Sequence, residues 1–576
     1  MFTRLIPTIY LFFKAAVSTK FALPMRDIMT LYKKHQETLE NAVKAIHERV
    51  FFTPYPEHPR AYAPEADELG RNAFSGMMNQ EFKELNVDSE LWIGEEVSPY
   101  MQTGIGVTYP QISNAQLIKN ANDATTWANI DVASRAGILI ESLDRVANRY
   151  FDIAYATMHT TGQSFMMAFQ ASGPHANDRA LESIAMGYHE ITRFPKSVEW
   201  VKPMGKFDLT IHKTWQAVPK GLSLAIGCST FPTWNTVPGM YASLITGNPV
   251  IVKPHPKSIL PIAIVIAELR KVLVENNINP NVIQLAVDTL KRPVTKELAE
   301  HADIQLIDYT GGNAFGDYIE TLNKTTFTEK AGVNSVILDS TNDLKAVASN
   351  IAFAASLYSG QMCTAPQNVF IPAQGVKTPE GMISFDEAAN MISDSVKGLV
   401  THPKMGAGTL GGIQNDATVK RISQGGNFGG ELLLAPQEVS NPEFENARIS
   451  SPSVIKTDGT NVEAYGQECF GPVIFLVKTA DRQEALNLTQ RLAKEKGAIT
   501  CSAYCTDEDW KNKISSAMNS VFTPVSFNFS GAAFVNQHAA FSDFHVTGGN
   551  PAGNASFTNP EYVNKRFVWV GNRYMG

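Results

Sequence analysis

One cysteine in this chain lies in a setting where a thiol could react. Cys363 belongs to the segment SGQMCTAP, residues 359–366, which follows the apolar, helix-like run NIAFAASLY. Free cysteines usually only pack, so the segment alone favours a structural thiol. The competing hypothesis is a nucleophile, because a cysteine thiolate attacks electrophilic carbon well at neutral pH. The other motifs of the chain have to decide between the two.

Two further segments carry an amide and an acid of the kind that such a nucleophile needs. Asn235 lies in FPTWNTVPG, residues 231–239, at a predicted strand end, and is either a turn former or an amide directed at an oxyanion. Glu329 lies in FTEKAGVNS before a predicted strand, and is either a solvated charge or a general base. Neither segment decides the matter alone.

A glycine-rich turn follows another predicted strand at YTGGNAFGDY, residues 309–318. Gly311, Gly312 and Gly316 would let backbone amides approach a phosphate at a helix N-terminus, and a plain tight turn is the alternative. The pattern is neither G-x-G-x-x-G nor a P-loop. No H-E-x-x-H, C-x-x-C or G-x-S-x-G motif occurs, which weighs against zinc and serine hydrolases.

Length and charge limit the class of protein. The 576 residues are 44% hydrophobic with a net charge of −7, so we expect at least two domains and favour neither nucleic-acid nor membrane binding. The five cysteines are an odd, sparse set, which predicts free thiols in a reducing, cytoplasmic compartment. No metal site is predicted, since the histidines considered lack ligand spacing: His159, His175, His189 and His538.

The N-terminal segment 1–28 combines basic residues with an apolar run too short to span a bilayer. We interpret it as a start codon read in error, with Met25 or Met29 as the natural beginning, or as a disordered leader; a signal peptide or anchor is the alternative. Residues 29–110 form an extension, with an amphipathic helix over 29–50 and then a proline-rich irregular segment.

The elements that must position these residues alternate between strand and helix. GLSLAIG, NPVIVKP, VIQLAV and IQLIDYTGG predict a doubly wound parallel sheet over 111–328, joined by part of 500–550. SVILDS, PQNVFIP and PVIFLVK predict a second sheet over 329–500. We therefore expect an α/β fold with two parallel-sheet domains and with ligands at the carboxyl ends of the strands.

The order of the motifs resembles that of the aldehyde dehydrogenase superfamily. The resemblance runs from about residue 110 to near the C-terminus, through TFPTWN, TGNPVIVKPHP, YTGGNAFG, TEKAGVNSVILDS, SGQMCTAPQNVFIP and QECFGPV. EEVSPY, MHTTGQSFMMAFQASGPHANDRALE and AFSDFHVTGGNPAGNA look like the PaaN branch of phenylacetic acid degradation. The resemblance implies a nucleophile at Cys363, oxyanion donors at the Asn235 amide and the Cys363 N–H, and a general base at Glu329. It also makes tunnel lining an alternative to helix core for Met166, Met167 and Phe169.

The resemblance also implies a dinucleotide site. Lys253 matches the lysine at the adenosine ribose, Glu468 and Phe470 match the nicotinamide side, and the glycine turn matches the pyrophosphate contact, with Gly312 where relatives more often have serine. The implied cofactor-binding residues are Lys253, His255, Lys257, Trp234, Gly311, Gly312, Gly316, Glu468 and Phe470. Pro256 stands where NAD-preferring relatives carry a glutamate, so NADP is predicted over NAD.

The leading hypothesis is an NADP-linked or NAD-linked dehydrogenase that oxidises the ring-opened, CoA-linked semialdehyde of phenylacetate breakdown to an acid. One alternative is a CoA-acylating dehydrogenase, whose members generally lack the base at Glu329. A non-redox ring-opening hydrolase and a catalytically silent scaffold are the others. Residues 206–218 and 560–576 look like paired oligomerisation strands, which predicts a homodimer or a dimer of dimers.

Overall fold

The computed structural model describes residues 25–423, 428–542 and 545–575. The α-helices are α1 (Met25–Glu48), α2 (Ala66–Met77), α3 (Asn114–Asp123), α4 (Val132–Ala147), α5 (Tyr150–Thr161), α6 (Phe165–Ser172), α7 (Pro174–Thr192), α8 (Val237–Ile245), α9 (Leu260–Glu275), α10 (Thr295–Glu300), α11 (Asn313–Thr321), α12 (Leu344–Ser356), α13 (Phe385–Val400), α14 (Gly406–Thr409), α15 (Asp416–Ser423), α16 (Val462–Tyr465), α17 (Arg482–Lys496), α18 (Glu508–Asn519) and α19 (Glu561–Asn564). The strands are β1 (Trp92–Ile93), β2 (Tyr109–Pro110), β3 (Ser197–Pro203), β4 (Asp208–Pro219), β5 (Leu222–Ile226), β6 (Val250–Lys253), β7 (Ile283–Leu285), β8 (Ile304–Thr310), β9 (Thr325–Glu329), β10 (Ser335–Leu338), β11 (Asn368–Pro372), β12 (Val376–Thr378), β13 (Gly381–Ile383), β14 (Glu431–Leu434), β15 (Ser453–Asp458), β16 (Val473–Thr479), β17 (Cys501–Tyr504), β18 (Val525–Phe527) and β19 (Phe567–Tyr574).

The first large sheet has the strand order β7-β6-β5-β8-β9, and all of its neighbouring strands run parallel. Strands β5 and β6 are buried along their whole length, which explains their unbroken apolar sequences. Helices α8 and α9 are almost entirely buried beside the sheet, and each has a proline in its first turn, where no helical hydrogen bond is lost. The carboxyl ends of β5, β6 and β9 bring the predicted site segments to one edge.

The second large sheet has the order β14-β15-β16-β11-β10-β17-β18 and is parallel except for the edge strand β14. Together with the first sheet, it confirms the predicted α/β fold. The prediction joins part of 500–550 to the first domain. Within that range, Cys501–Tyr504 pairs with Ser335–Leu338 and Val525–Phe527 pairs with Cys501–Ala503 in the second sheet, whereas His545 contacts Glu329 at the end of β9. These segments read as generic apolar strands, and only the pairing shows which sheet they join.

A three-stranded antiparallel sheet, the arm, has the order β19-β4-β3. β19 pairs with β4 over its whole length, from Phe567 opposite Pro219 to Tyr574 opposite His212. The two segments that the sequence matches as companions are thus paired within one chain. The arm is anchored by Arg566, whose guanidinium is fully buried and lies 2.6 Å from an Asp308 carboxylate oxygen at the end of β8.

The N-terminal extension packs on the first domain. Helix α1 begins at Met25 and contacts α4 and α7, while residues 1–24, which carry most of the leader prediction, lie outside the described residues. In EEVSPY, the Glu96 carboxylate accepts the backbone N–H of Ile259 at 2.5 Å and of Leu260 at 3.0 Å, and so caps α9. Within the described ranges, none of the helices combines the length and apolar character that a bilayer crossing requires.

Candidate active site

The three residues predicted for catalysis converge, although they come from different elements. Asn235 lies in the turn between β5 and α8, Glu329 ends β9, and Cys363 follows α12. The Asn235 Nδ2 donates to Glu329 Oε2 at 2.9 Å. Glu329 is 2% exposed, so the general base predicted from the sequence is not a solvated surface charge. Asn235, Glu329 and Cys363, with His545 described below, form what we call the thiol pocket.

The chain enters the Cys363 turn through a strained stretch of backbone. Tyr358, Ser359 and Gly360 have φ values of 53°, 51° and 64°, in the left-handed region that only glycine adopts readily. A Cβ at Gly360 would lie 2.4 Å from the Gly471 carbonyl oxygen, so the glycine is required there. After the turn, the Asn334 amide donates to the Cys363 carbonyl at 2.7 Å. The sulfur is therefore held by a fixed loop.

The surroundings of Cys363 keep its thiol protonated at rest. Burial raises the pKa of the Cys363 thiol well above its ordinary value, and the Glu329 and Glu468 carboxylates raise it further. Among the described residues, no acceptor bonds the Cys363 backbone N–H. That N–H and the second hydrogen of the Asn235 amide are thus available to an oxygen that develops negative charge beside the sulfur.

A fourth polar side chain, His545, completes the thiol pocket. Its Nε2 lies 3.5 Å from the Cys363 Sγ and 3.1 Å from the Glu329 Oε1. Its ring meets Trp234 edge-on and stacks on Phe557, with centroid distances of 4.6 and 5.7 Å. Trp234, predicted to bind cofactor, lies here beside the imidazole. The sequence analysis did not predict His545 as a site residue. The absence of a metal site stays a prediction.

His545 is positioned by the C-terminal segment that crosses the end of β9. Gly553 bridges to Glu329, and the Lys330 backbone N–H donates to the Ala552 carbonyl at 2.6 Å. A Cβ at Gly553 would lie 2.0 Å from the Thr328 carbonyl oxygen, so only glycine permits this approach. The signal in the sequence was the histidine in AFSDFHVTGGNPAGNA, but nothing in its spacing pointed to a thiol 182 residues away.

Lys253 meets an acid at the carboxyl edge of the first sheet. Its Nζ lies 2.7 Å from the Asp288 Oδ1, and both side chains are almost fully buried; we call this pair and its neighbours His255, Pro256 and Lys257 the ribose pocket. Burial lowers the Lys253 pKa, and Asp288 opposes that change. Burial also lowers the His255 pKa to about 4, so that imidazole is neutral near pH 7. The sequence analysis noted the missing acid at Pro256 and missed Asp288.

The remaining predicted cofactor residues occupy two places. At the end of β8, Gly312 caps α11 and accepts a hydrogen bond from the Tyr309 hydroxyl at 2.8 Å, and space is open where its Cβ would point. Gly311 donates its backbone N–H to the Glu329 carbonyl at 3.0 Å, and Gly316 is buried in α11.

Glu468 and Phe470 lie near the thiol. Burial raises the pKa of Glu468 to about 7, and the Phe470 carbonyl accepts a hydrogen bond from the Arg421 guanidinium.

Comparison with known proteins identifies the family. The family model described as "Aldehyde dehydrogenase family" matches residues 95–517. The chain belongs to the aldehyde dehydrogenase family. A crystal structure of an NAD-dependent aldehyde dehydrogenase from Burkholderia multivorans is 41% identical, with a TM-score of 0.91, and the match covers 94% of this chain and 98% of that one.

More distant relatives agree with this assignment. The alpha-ketoglutaric semialdehyde dehydrogenase of Bacillus subtilis (strain 168) is 25% identical over 391 residues, which are 66% of this chain and 76% of the relative. An NADP-dependent glyceraldehyde-3-phosphate dehydrogenase from Bacillus halodurans C-125 is 20% identical with a TM-score of 0.66, over 85% of this chain and 97% of that one, and shows the fold alone. The chain is therefore an enzyme of the aldehyde dehydrogenase family, while none of these relatives carries the narrower PaaN name.

The side chains present fit the dinucleotide cofactor of the family. The Asp288 Oδ1 faces Lys253 but makes no aligned hydrogen bond, so it keeps acceptor capacity for a ribose hydroxyl. Open space at Gly312 and the N-terminus of α11 suit a pyrophosphate, and Glu468 offers a half-buried carboxyl on the thiol side. When bound there, the nicotinamide supplies the acceptor for a hydride.

An apolar group of side chains borders the thiol. Phe231, Tyr358 and Ala171 form a small buried cluster against which Met167 and Met362 pack, and Met362 directly precedes Cys363. Phe169 instead belongs to the main core and is fully buried, and Met166 is 43% exposed. Of the three residues weighed as tunnel lining, Met167 is the one in this cluster.

Proposed function

We propose that this protein oxidises an aldehyde to a carboxylic acid through a thioester on Cys363, with a nicotinamide dinucleotide as oxidant and water as the final acyl acceptor. The observation that carries the proposal is the meeting of a thiol, an amide and a buried carboxylate in the thiol pocket. Each supplies one requirement of the reaction: a nucleophile, a donor to the oxyanion and a base for water.

A residue of the thiol pocket can carry out each chemical step. The Cys363 sulfur bonds to the carbonyl carbon, and the oxygen that gains the electron pair accepts from the Asn235 amide and the Cys363 N–H. Once the carbon has been oxidised to a thioester, Glu329 removes a proton from the attacking water, the C–S bond breaks, and the acid leaves. Asn235 orients the Glu329 carboxylate through the bond at 2.9 Å.

We infer that NAD is preferred over NADP, whereas the sequence predicts NADP over NAD. That preference rests on the missing acid at Pro256, but Asp288 supplies a carboxylate 2.7 Å from the Lys253 ammonium and neutralises it. His255 is neutral near pH 7, which leaves Lys257 as the free cation of the pocket. A 2′-phosphate would meet little net positive charge here and would approach an acid. The Burkholderia relative is named as NAD-dependent.

The proposed substrate is the ring-opened, CoA-linked semialdehyde of phenylacetate breakdown. Its support is the resemblance of EEVSPY, the 158–182 run and the 540–555 segment to the PaaN branch, together with the apolar cluster at Met167 and Met362. The Bacillus relative is named for a semialdehyde of a different acid. A panel of aromatic, aliphatic and CoA-linked aldehydes, each tested with NAD and NADP, ranks the substrates by kcat/KM.

The reaction class is tested by trapping the intermediate. Protein mixed with aldehyde and NAD, then quenched in acid, should carry the acyl mass on the Cys363 peptide, and Cys363→Ala should carry none. The absence of the adduct and of NADH with every aldehyde would reject the proposal, in favour of a non-redox hydrolase or a silent scaffold. Accumulation of acyl-CoA rather than free acid when CoA is added would instead favour the acylating dehydrogenase.

The proposed assembly is a cytoplasmic homodimer or dimer of dimers. The arm exposes apolar side chains on β19: Val568, Trp569 and Val570 are 51%, 37% and 43% exposed. β19 and β3 are the outer strands of the arm, and a strand edge of this kind pairs readily with another chain. Light scattering coupled to size exclusion that gives the mass of one chain would reject the assembly.

A further inference from the structure

His545 contacts the reacting sulfur and has no role in the reaction described so far. Its side chain is 7% exposed, and its Nε2 lies 3.5 Å from the Cys363 Sγ and 3.1 Å from the Glu329 Oε1. One nitrogen thus faces a thiol that must lose a proton and a carboxylate that can stabilise a positive charge. We propose that His545 is a catalytic base that removes the Cys363 proton and forms a thiolate–imidazolium pair. The proposal rests on the proposed function.

The thiol needs such a base because its surroundings oppose the thiolate. Burial and the carboxylates of Glu329 and Glu468 raise the Cys363 pKa. An unpaired thiolate is unfavourable in a buried site. Proton transfer to an imidazole creates the imidazolium beside the thiolate, and the attraction between the two charges offsets part of that free energy. The Glu329 carboxylate then holds the imidazolium.

The proton balance is simple. The transfer requires the imidazole tautomer that carries its hydrogen on Nδ1, so that the Nε2 lone pair can accept from the Cys363 thiol; the Glu329 oxygen, 3.1 Å from Nε2, gains a donor only when the proton has moved. The S–H bond of Cys363 breaks, an N–H bond forms at Nε2, and the electron pair stays on sulfur. That single N–H then faces two anions, the sulfur and the Glu329 oxygen, and the two distances of 3.5 and 3.1 Å suit this shared donor. At deacylation the sulfur leaves as a thiolate and takes this proton back from the imidazolium, while the proton that Glu329 removes from water goes to solvent; with ionisation of the acid product, aldehyde oxidation by NAD releases two protons overall.

The other groups around the imidazole do not replace Glu329 as its partner. Trp234 and Phe557 cover it with aromatic rings. Arg179 lies beyond them, 5.3 Å from the Trp234 ring and 5.9 Å from the Phe557 ring, and its charge is compensated by Glu182 at 2.9 Å. Among the described residues, the ionisable groups in contact with the imidazole are thus Cys363 and Glu329, both at its Nε2.

The test measures the thiol directly, without aldehyde or dinucleotide. The full-length protein is alkylated with iodoacetamide between about pH 5 and about pH 10, a range that covers ordinary His and Cys pKa values, and labelling of the Cys363 peptide is timed by mass spectrometry. His545→Gln keeps a polar group but cannot take the proton. We expect its labelling rate near neutral pH to fall about tenfold for each unit by which the thiol pKa rises, and to recover at high pH.

The matched control is His538→Gln. His538 lies in the same C-terminal segment but pairs with Asp178 at 3.0 Å, away from the thiol. We expect the wild-type pH profile for this variant. If a thermal unfolding measurement shows that His545→Gln is not folded, His545→Ala with free imidazole in the buffer tests the same step. The rate of Cys363 labelling should then rise with the imidazole concentration.

A pH profile for Cys363 that is unchanged by His545→Gln would overturn the proposal. So would slow labelling that does not recover at high pH, because a merely displaced loop would slow alkylation at every pH. Failure to oxidise any aldehyde would reject the proposed function but would leave these labelling results as they stand. The two proposals therefore fail in different experiments.

Discussion

In the ribose pocket, Lys253 and Asp288 face each other as a buried ion pair, whereas in the thiol pocket Cys363, Glu329 and His545 meet with protons that can move between them. Both places lie at the carboxyl edge of the first sheet, and the side chains of Lys253, Asp288, Glu329 and His545 are buried. In the first, two opposite charges are fixed and compensate each other. In the second, charge appears only when a proton is transferred.

Fixed charges and mobile protons give the two pockets different chemical roles. A compensated pair offers a hydroxyl-bearing ligand an acceptor and a donor without net charge, and removing one partner leaves the other charge buried and uncompensated. A set of groups whose protons move can create a nucleophile and then a base during one turnover. Substitutions in the thiol pocket should therefore change kcat, and substitutions in the ribose pocket should change which dinucleotide binds.

The largest effect is expected from Glu329→Gln. The amide keeps the shape of the side chain but cannot accept a proton from water, so the thioester should form once and then persist. Stopped-flow absorbance should show a first turnover of NADH, followed by a steady state about 10²–10⁴-fold slower than in the wild type. Because Glu329 also holds the imidazolium of His545, the first turnover should be slowed but not lost. Complete loss of the first turnover together with the steady state would contradict the assignment of Glu329 as the base for water.

Asn235→Ala should cost about 10²–10³-fold in kcat, because one oxyanion donor is removed. Cys228→Ala is the control, since the Cys228 thiol donates to the Asn235 Oδ1 at 3.7 Å and its removal leaves the Nδ2 donor in place. We expect a much smaller loss for that variant. A rise in KM with unchanged kcat for Asn235→Ala would mean that the amide binds the ground state and does not stabilise the transition state.

The sequence led to Cys363, Asn235 and Glu329 because each lies at a strand end or loop beside a recognisable motif. The carboxyl ends of β5 and β9 lie at one edge of the first sheet, so the approach of Asn235 to Glu329 follows from the fold. Cys363 lies before β11 of the second sheet, and its approach to them depends on tertiary packing. Asp288 obeys the same rule: it follows β7, which lies beside the β6 strand that ends at Lys253. The sequence analysis considered only Pro256 as the position of the acid and so missed Asp288, although the order of the parallel strands would have predicted an acid there.

His545 could not be found in this way. Its position depends on a long return of the chain across β9, fixed by the close approach of Gly553 to the Thr328 carbonyl and by the Lys330 to Ala552 hydrogen bond. Such contacts have no local periodicity. The same limit applies to the Cys501–Tyr504 strand, whose apolar sequence fits either sheet and whose partner is decided by packing.

In the ribose pocket, Asp288→Asn should raise the kcat/KM ratio of NADP to NAD about tenfold, equivalent to ~1.4 kcal/mol. The substitution removes the acid and leaves the Lys253 ammonium free to attract a 2′-phosphate. Asp303→Asn is the control, an exposed aspartate of the same domain whose partner is the Asn122 amide. An unchanged ratio in a variant that unfolds at the wild-type temperature would show that Asp288 does not reach the ribose.

The smallest effect concerns Glu468, which the resemblance assigns to the nicotinamide half of the cofactor. Burial raises the pKa of Glu468 to about 7, so the group accepts hydrogen bonds as a carboxylate above that pH and is protonated below it. The KM for the dinucleotide should therefore rise about threefold to tenfold as the pH falls through this value, the worth of one hydrogen bond. Glu468→Gln should remove this dependence, and Glu463→Gln, at an exposed residue of the same segment, should retain it. If the Glu468→Gln curve follows the wild type, another group titrates, and the carboxyl does not contact the cofactor.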